Sequence, residues 1–233
     1  MRLNRFFYKL NLNQDSLQIN DTEIYNQIKN VLKLKPGKQI IICDGNSNEA
    51  LAEILNIDVA KKTINTILLD KTKNNCESKK QITLYCSILK RENFELATQK
   101  ATEIGVNKIV PLICERTIKT GIKKERLEKI IKEASEQSGR GIIPRIETMV
   151  SFEQGIRQAE ENDINLFFDI SGKKINFSVL SKTNKIGLFI GPEGGWSKKE
   201  LELAQNNKFK ITTLSTMTLR AETAAIIASY LVS

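Results

Sequence analysis

Histidine does not occur in this 233-residue chain. Its absence removes the commonest general base, and with it every Ser-His or Cys-His nucleophile pair. The four cysteines, Cys43, Cys76, Cys86 and Cys114, form no C-x-x-C pair, so no metal site is expected. Cys43, Cys86 and Cys114 lie in or beside apolar strand-like runs and read as small, buried, reduced thiols. No apolar run approaches the roughly 18 residues that cross a bilayer, and the polar start MRLNRFFYKLNLNQ has no signal-peptide core. A cytoplasmic protein with no membrane partner is expected. Neither G-x-x-x-x-G-K-[ST] nor G-x-G-x-x-G is present, which counts against a nucleotide-dependent enzyme built on a phosphate loop. There is no internal repeat and no low-complexity tract.

What is present is ordinary in bulk. A hydrophobic content of 40% and a charged content of 27% are those of a globular protein, long enough for one large or two modest domains. Lys and Arg outnumber Asp and Glu, giving a net charge of +9 that favours a polyanionic partner without demonstrating one.

Residues 1–72 read as a small β-rich unit. Gln39 to Cys43, Glu49 to Ile57 and Thr63 to Leu69 have strand character, and Asp44-Gly45 is a hairpin-type turn signal. One helix interrupts them, with Asp21 or Thr22 as cap, Ile24, Ile28, Val31 and Leu32 on one face, and Pro36-Gly37 as its stop. The polar run from Lys71 to Lys80 has no apolar period, and residues 73–80 read as a linker. Residues 81–233 alternate strand and helix. Strands are expected at Ile82 to Leu89, Lys108 to Ile113, Ile164 to Asp169, Ile186 to Ile190 and Phe209 to Leu214, with helices such as Glu92 to Ile104 and Lys124 to Ser138 between them. Such alternation builds an α/β domain, a parallel sheet covered by helices.

Two segments of that second half carry the candidate chemistry. Ile186 to Ile190 runs into Gly191-Pro192-Glu193-Gly194-Gly195-Trp196, and Ser197 with Glu200 supplies the S-x-x-E signature of a helix start. A loop this rich in glycine leaves its N–H and C=O groups open to a ligand, although a plain tight turn is the competing reading. Further on, Leu214-Ser215-Thr216-Met217-Thr218-Leu219-Arg220-Ala221-Glu222-Thr223-Ala224 closes one strand and opens the last helix.

Together these segments resemble the C-terminal signature of SPOUT methyltransferases, specifically the ribosomal RNA uridine-N3 methyltransferases of the RsmE type. That family shows G-P-E-G-G followed by L-G-x-x-I-L-R-x-E-T-A. This chain keeps Leu214, Leu219, Arg220, Glu222, Thr223 and Ala224, and departs at Ser215, usually glycine, and Thr218, usually aliphatic. Four more segments extend the likeness. Lys90-Arg91-Glu92 followed by Lys100-Ala101-Thr102-Glu103-Ile104-Gly105-Val106 resembles the family's K-A-T-E-L-G-V region, and Glu133 to Arg140 with Pro144 resembles E-A-x-E-Q-S-x-R-x-x-x-P. The start Arg2-Leu3-Asn4-Arg5-Phe6-Phe7 resembles its basic-aromatic opening, with Asn4 where histidine is common, and Val31-Leu32-Lys33 stands for its V-L-R.

The resemblance implies a SPOUT-type trefoil-knotted parallel sheet flanked by helices, preceded by a PUA-like β-barrel that binds RNA. It implies S-adenosyl-L-methionine as cofactor, 16S ribosomal RNA or the 30S subunit as partner, and a homodimer. The implied cofactor residues are Ile190, Gly191, Pro192, Glu193, Gly194, Gly195, Leu214, Ser215, Met217 and Leu219. Arg220 suits a charge stabiliser, because its guanidinium can engage a uracil carbonyl and does not lose its own proton. Glu222 suits either an orienting partner for Arg220 or a general base, and a simple Arg220–Glu222 ion pair is the competing reading. For RNA the candidates are Arg2, Arg5, Phe6, Lys33, Lys90, Arg91, Arg116 and Arg140. Arg5 with Phe6 reads equally as a phosphate clamp with a stacking platform or as a first strand with core phenylalanines. A non-catalytic RNA-binding ribosome-assembly factor on the same fold is the alternative.

Overall fold

The computed structural model describes residues 3–118, 121–174, 180 and 182–233. Arg2 therefore lies outside the described residues. The chain divides into two compact units, one of Met1–Glu77 with Ser135–Ile143, the other of Ser78–Ala134 with Pro144–Ser233.

The first unit is a five-stranded sheet in the order β1 (Arg5–Phe7), β3 (Gln39–Cys43), β4 (Asn48–Asp58), β5 (Thr63–Lys73), β2 (Ser16–Ile19). β1 pairs with β3 in parallel and the other neighbours are antiparallel. Alternating isoleucines, among them Ile40, Ile42, Ile54 and Ile64, point to one side and bury against Ile24 and Ile28 of the helical segment. That segment departs from the expected single helix. α1 (Thr22–Asn26), capped by Asp21 Oδ1 accepting from Ile24 N at 2.9 Å, passes at Gln27–Val31 into a π-helical turn. Leu32 N donates to Gln27 O five residues back, and the wider turn rotates Val31 out to 71% exposure while Ile28 stays buried.

Two expectations for RNA contact are corrected here. Phe6 is 1% exposed within the isoleucine core, so its ring offers no stacking face. Arg140 is 5% exposed and its Nη2 donates to Glu77 Oε2 at 2.7 Å, a buried ion pair rather than a phosphate ligand. Glu77 Oε1 also accepts from Gly141 N and Ile142 N. Asn74 donates to Glu49 Oε2 and to Gly139 O. Residues 74–77, within the stretch that reads as linker, are thus held by specific bonds, and β5 itself extends to Lys73.

The second unit is a parallel sheet in the order β12 (Lys210–Thr213), β10 (Ile164–Lys174), β11 (Lys185–Ile190), β6 (Gln81–Ser87), β7 (Lys108–Ile113), β8 (Arg145–Ile146), with β9 (Val150–Ser151) also on β7. The helices are α2 (Arg91–Ile104), α3 (Lys124–Ser138, its last turn falling in the first unit), α4 (Phe152–Gln158), α5 (Lys198–Asn206) and α6 (Ala221–Val232). β6 and β7 lead outward on one side, then the chain returns to place β11 between β10 and β6. The strand order therefore reverses beside β11, the kind of point at which open α/β sheets bind ligands at their carboxyl ends. β10 runs past the expected Asp169. Its register against β12 shifts between Phe168 and Lys173, and a Cβ at Gly172 would lie 2.5 Å from the Thr212 backbone, so only glycine lets the strands close up again. The core is aromatic. Tyr85 stacks on Phe189 at 4.4 Å, and Phe152, Phe167, Trp196 and Phe209 pack around them.

All four cysteines are free, Cys43, Cys86 and Cys114 buried and Cys76 exposed. Burial raises the Cys43 thiol pKa to about 11 and that of Cys114 to about 12, so both remain protonated and unreactive at neutral pH.

Removing one partner of a buried ion pair strands the other, so Arg140→Ala is expected to lower stability by about 3–5 kcal/mol in urea denaturation. On the exterior of the second unit Arg126, and after it Arg91, holds the Glu95 carboxylate at about 2. Its contribution is complete above the ordinary value of 4.5 and fades as pH falls to about 2. Thermal melts of wild type and Glu95→Gln should therefore differ slightly at pH 7, because solvent screens the pair, and converge in acid.

Candidate functional site

β11 delivers a buried apolar strand to Ile190, and the chain then turns sharply. Trp196 shapes that turn. Its indole stacks on Phe167 at 4.3 Å, its Nε1 donates to Phe168 O at 3.0 Å, and a Cβ on Gly191 would sit 2.9 Å from its Cε2. Gly195, at φ +69°, closes the loop by donating to Pro192 O at 2.8 Å. α5 then starts with the expected capping box. Ser197 N donates to Glu200 Oε2 at 2.8 Å, and Glu200 N donates back to the Ser197 hydroxyl. Glu200 is buried because its other oxygen accepts from Glu115 N at 2.9 Å.

Two neighbours brace the loop from outside. Arg116 Nη1 donates to Gly194 O at 2.8 Å, and Glu193 Oε1 accepts from Lys90 N at 3.0 Å, at the start of α2. Glu193 thus serves an N-terminus that has no cap side chain of its own.

The second loop follows β12. Thr213 Oγ1 donates to Ser215 O at 2.9 Å and Met217 N donates to Ser215 Oγ at 3.0 Å. Ser215 has no positive φ, so a side chain is accommodated where the resembled family has glycine, and its hydroxyl secures the bend. α6 begins from Arg220, whose extended backbone (φ −64°, ψ 150°) makes it the N-cap residue, without a side-chain cap bond.

The two loops meet at one cavity of about 700 Å³, a volume that suits a cofactor-sized ligand. Every residue given above as a cofactor candidate lines it, as do Arg220, Glu222 and Lys90. The reading missed Asn93, Phe168, Asp169, Ile170, Trp196 and Thr213 in the same wall. β10 lies beside β11, which leads into the glycine loop, and β12 lies beyond β10, so parallel pairing of those strands was the signal that could have placed Asp169 and Thr213 in this wall. Arg116 supports the loop from behind, and Arg91 pairs with Glu95 at 3.1 Å. Arg5, Phe6, Lys33 and Arg140 belong to the first unit, where Arg5 is paired with Glu49 and Lys33 is exposed at φ +51°.

The charges of the wall are unevenly engaged. Arg220 is exposed, and no ion pair joins it to Glu222 among the described residues. Glu222 is 6% exposed, and its Oε2 is buried with no hydrogen-bond partner among the described residues. The nearby Cys86 thiol is driven far up, first by burial, then by the charges of Cys114, Glu193 and Glu222. No cluster of metal-binding side chains occurs among the described residues.

Trp196 is the chain's one tryptophan, so its fluorescence reports this loop alone. Gly191→Ala, which forces a methyl against the indole, is expected to shift the emission to the red and to cost about 1–3 kcal/mol in a denaturant titration followed at that signal.

Comparison with known proteins agrees with this architecture. The family described as "RNA methyltransferase domain" matches residues 76–233, and that described as "RNA methyltransferase PUA domain" matches residues 19–64. The chain is 32% identical to the ribosomal RNA small subunit methyltransferase E of Rickettsia conorii, over 98% of this chain and 94% of that protein. It is 28% identical to the protein of the same name from Bacillus subtilis, over 97% and 94%. Among solved structures, a ribosomal RNA small subunit methyltransferase E from Neisseria gonorrhoeae bound to S-adenosyl methionine superposes with a TM-score of 0.88 at 28% identity, covering 98% of this chain and 95% of that one. The glycine loop, the α6 start and the parallel sheet that joins them are thus those of a known lineage, and the chain belongs to the RNA methyltransferase family that includes the ribosomal RNA small subunit methyltransferase E proteins.

Proposed function

We propose that the chain transfers a methyl group from S-adenosyl-L-methionine to N3 of a uridine in 16S ribosomal RNA of the small subunit. The observation that carries this is the convergence of the two loops on one cavity whose wall offers open main chain, an apolar slot and an unengaged Arg220.

The residues fit the cofactor. Ile190, Leu214, Leu219 and Phe168 supply apolar surface for an adenosyl group, and Gly191 to Gly195 present backbone groups to its polar edges. The buried unpartnered oxygen of Glu222 marks a place where the wall lacks a donor that an occupant can provide. When bound, the cofactor supplies an electrophilic methyl group on a sulfonium. Uridine N3 becomes a nucleophile only as its proton leaves, and negative charge then spreads to the adjacent carbonyl oxygens. Arg220, exposed and unpaired with Glu222, meets that charge with a fixed positive one. With no histidine available, the proton leaves to a carboxylate or to water.

Residues 1–72 act as the RNA-binding domain and residues 81–233 as the catalytic one, with Arg5, Lys33, Lys90, Arg91 and Arg116 along the RNA path; the net charge of +9 favours that partner. The segment from β10 to α6 forms the trefoil knot, a reading supported by the placement of β11 between β10 and β6. A homodimer is supported by α6, which carries one charged residue, Glu222, and leaves Tyr230 71% and Leu231 39% exposed. The four free thiols fit a reducing compartment such as the cytoplasm.

The test is methyl transfer to isolated small subunits, with the modified base mapped by mass spectrometry. Arg220→Ala is expected to slow transfer about 10²–10³-fold while calorimetric cofactor affinity changes by less than about threefold. Cofactor binding with no transfer by the wild type would favour the non-catalytic assembly factor instead.

A further inference from the structure

Three carboxylates line the cavity, and two of them are occupied. Asp169 Oδ1 accepts from Ser171 N at 2.8 Å and from its hydroxyl at 2.5 Å, and Glu193 Oε1 accepts from Lys90 N. Glu222 differs. It stands in the first turn of a 12-residue helix, more than nine-tenths buried, with Oε2 lacking any partner among the described residues. An ionised carboxylate so placed is costly unless something compensates it. The N-terminus of α6 contributes part of that compensation through its unpaired N–H groups. Arg220, two residues away, makes no ion pair with it among the described residues. The described chain leaves that oxygen of Glu222 without a complement, and a cationic occupant of the cavity is one that would supply it.

Resting on the function proposed above, this has a specific consequence. S-adenosyl-L-methionine carries a sulfonium and an ammonium against one carboxylate, so its net charge is positive. The product left after methyl transfer, S-adenosylhomocysteine, is a thioether and neutral overall. We infer that Glu222 is a specificity-determining residue for the reaction, whose carboxylate favours the cationic methyl donor over the neutral product. Its role is then neither the orientation of Arg220 nor the acceptance of the uridine proton. Loss of the sulfonium charge at transfer weakens the hold of the cavity on what remains, which assists exchange of product for fresh donor.

Calorimetry on the full chain tests this with three probes: S-adenosyl-L-methionine, S-adenosylhomocysteine, and sinefungin, in which an amine keeps the positive charge without a transferable methyl. Glu222→Gln preserves shape and removes charge. It is expected to weaken the two cationic ligands roughly tenfold and the neutral product by less than about twofold. Retained binding of the product also shows that the variant's pocket is intact. An equal loss for all three would assign Glu222 to packing and overturn the inference. Unchanged affinity for all three would overturn it as well, and slower transfer alongside would point to the proton acceptor. If wild type binds none of the three probes, the failure lies with the proposed function itself.

Discussion

The wedge of Trp196 beneath Gly191 is the constraint on which the site depends. One side chain ties three things together: its face lies on Phe167 of β10, its Nε1 holds the carbonyl of Phe168, and its ring edge takes the space a Cβ at Gly191 would need. Each aromatic pairing adds about 0.5–1.5 kcal/mol beyond the area it buries, so the loop is anchored by the same cluster that holds β6, β10 and β11 together. The far end of the loop is fixed by Ser197 and Glu200, and Glu200 reaches back to Glu115. Pinned at both ends, the glycines between them do not need internal packing. Apart from Gly194 O, held by Arg116, and Gly195 N, bonded to Pro192 O, their main chain is left for a ligand.

Much of this was legible because the signals are local. A capping box needs residues three apart, a buried strand needs a short apolar run, and Ser197 with Glu200 and Lys185–Ile190 behave as those rules require. What escaped was set by geometry that no short window contains. Val31 fits the apolar face of an α-helix by spacing alone, yet one i→i+5 bond from Leu32 to Gln27 turns it outward. Asp169 looks like the end of a strand and Ile170 lies just past it, but β10 continues through a register shift that Gly172 permits, and both residues enter the cavity wall.

Phe6 and Arg140 make the same point from residue type. An aromatic and an arginine in a basic protein suit RNA and suit a core equally well, and the choice belongs to partners distant in sequence. Ile40 and Ile42 of β3 lie in the core that encloses Phe6, which β1 carries beside them. Glu77 claims Arg140 and, through Gly141 and Ile142, the chain beyond it. Gly141 is itself required there, since a Cβ would fall 2.7 Å from the side chain of Asn74. A segment that lies in sequence between elements of the second unit is in this way stitched into the first.

The opposite charges at the start of α6 follow from the same local geometry. Arg220 is the N-cap, extended and outside the helix, while Glu222 is the second residue inside it, on the buried side. Two residues apart, they are carried to different depths, and a helix otherwise without charge offers neither a substitute partner. Residues two apart on a regular helix face different sides, so the spacing itself works against a pair. The extended cap adds to that separation, leaving Arg220 exposed and Glu222 buried in the wall of the same cavity.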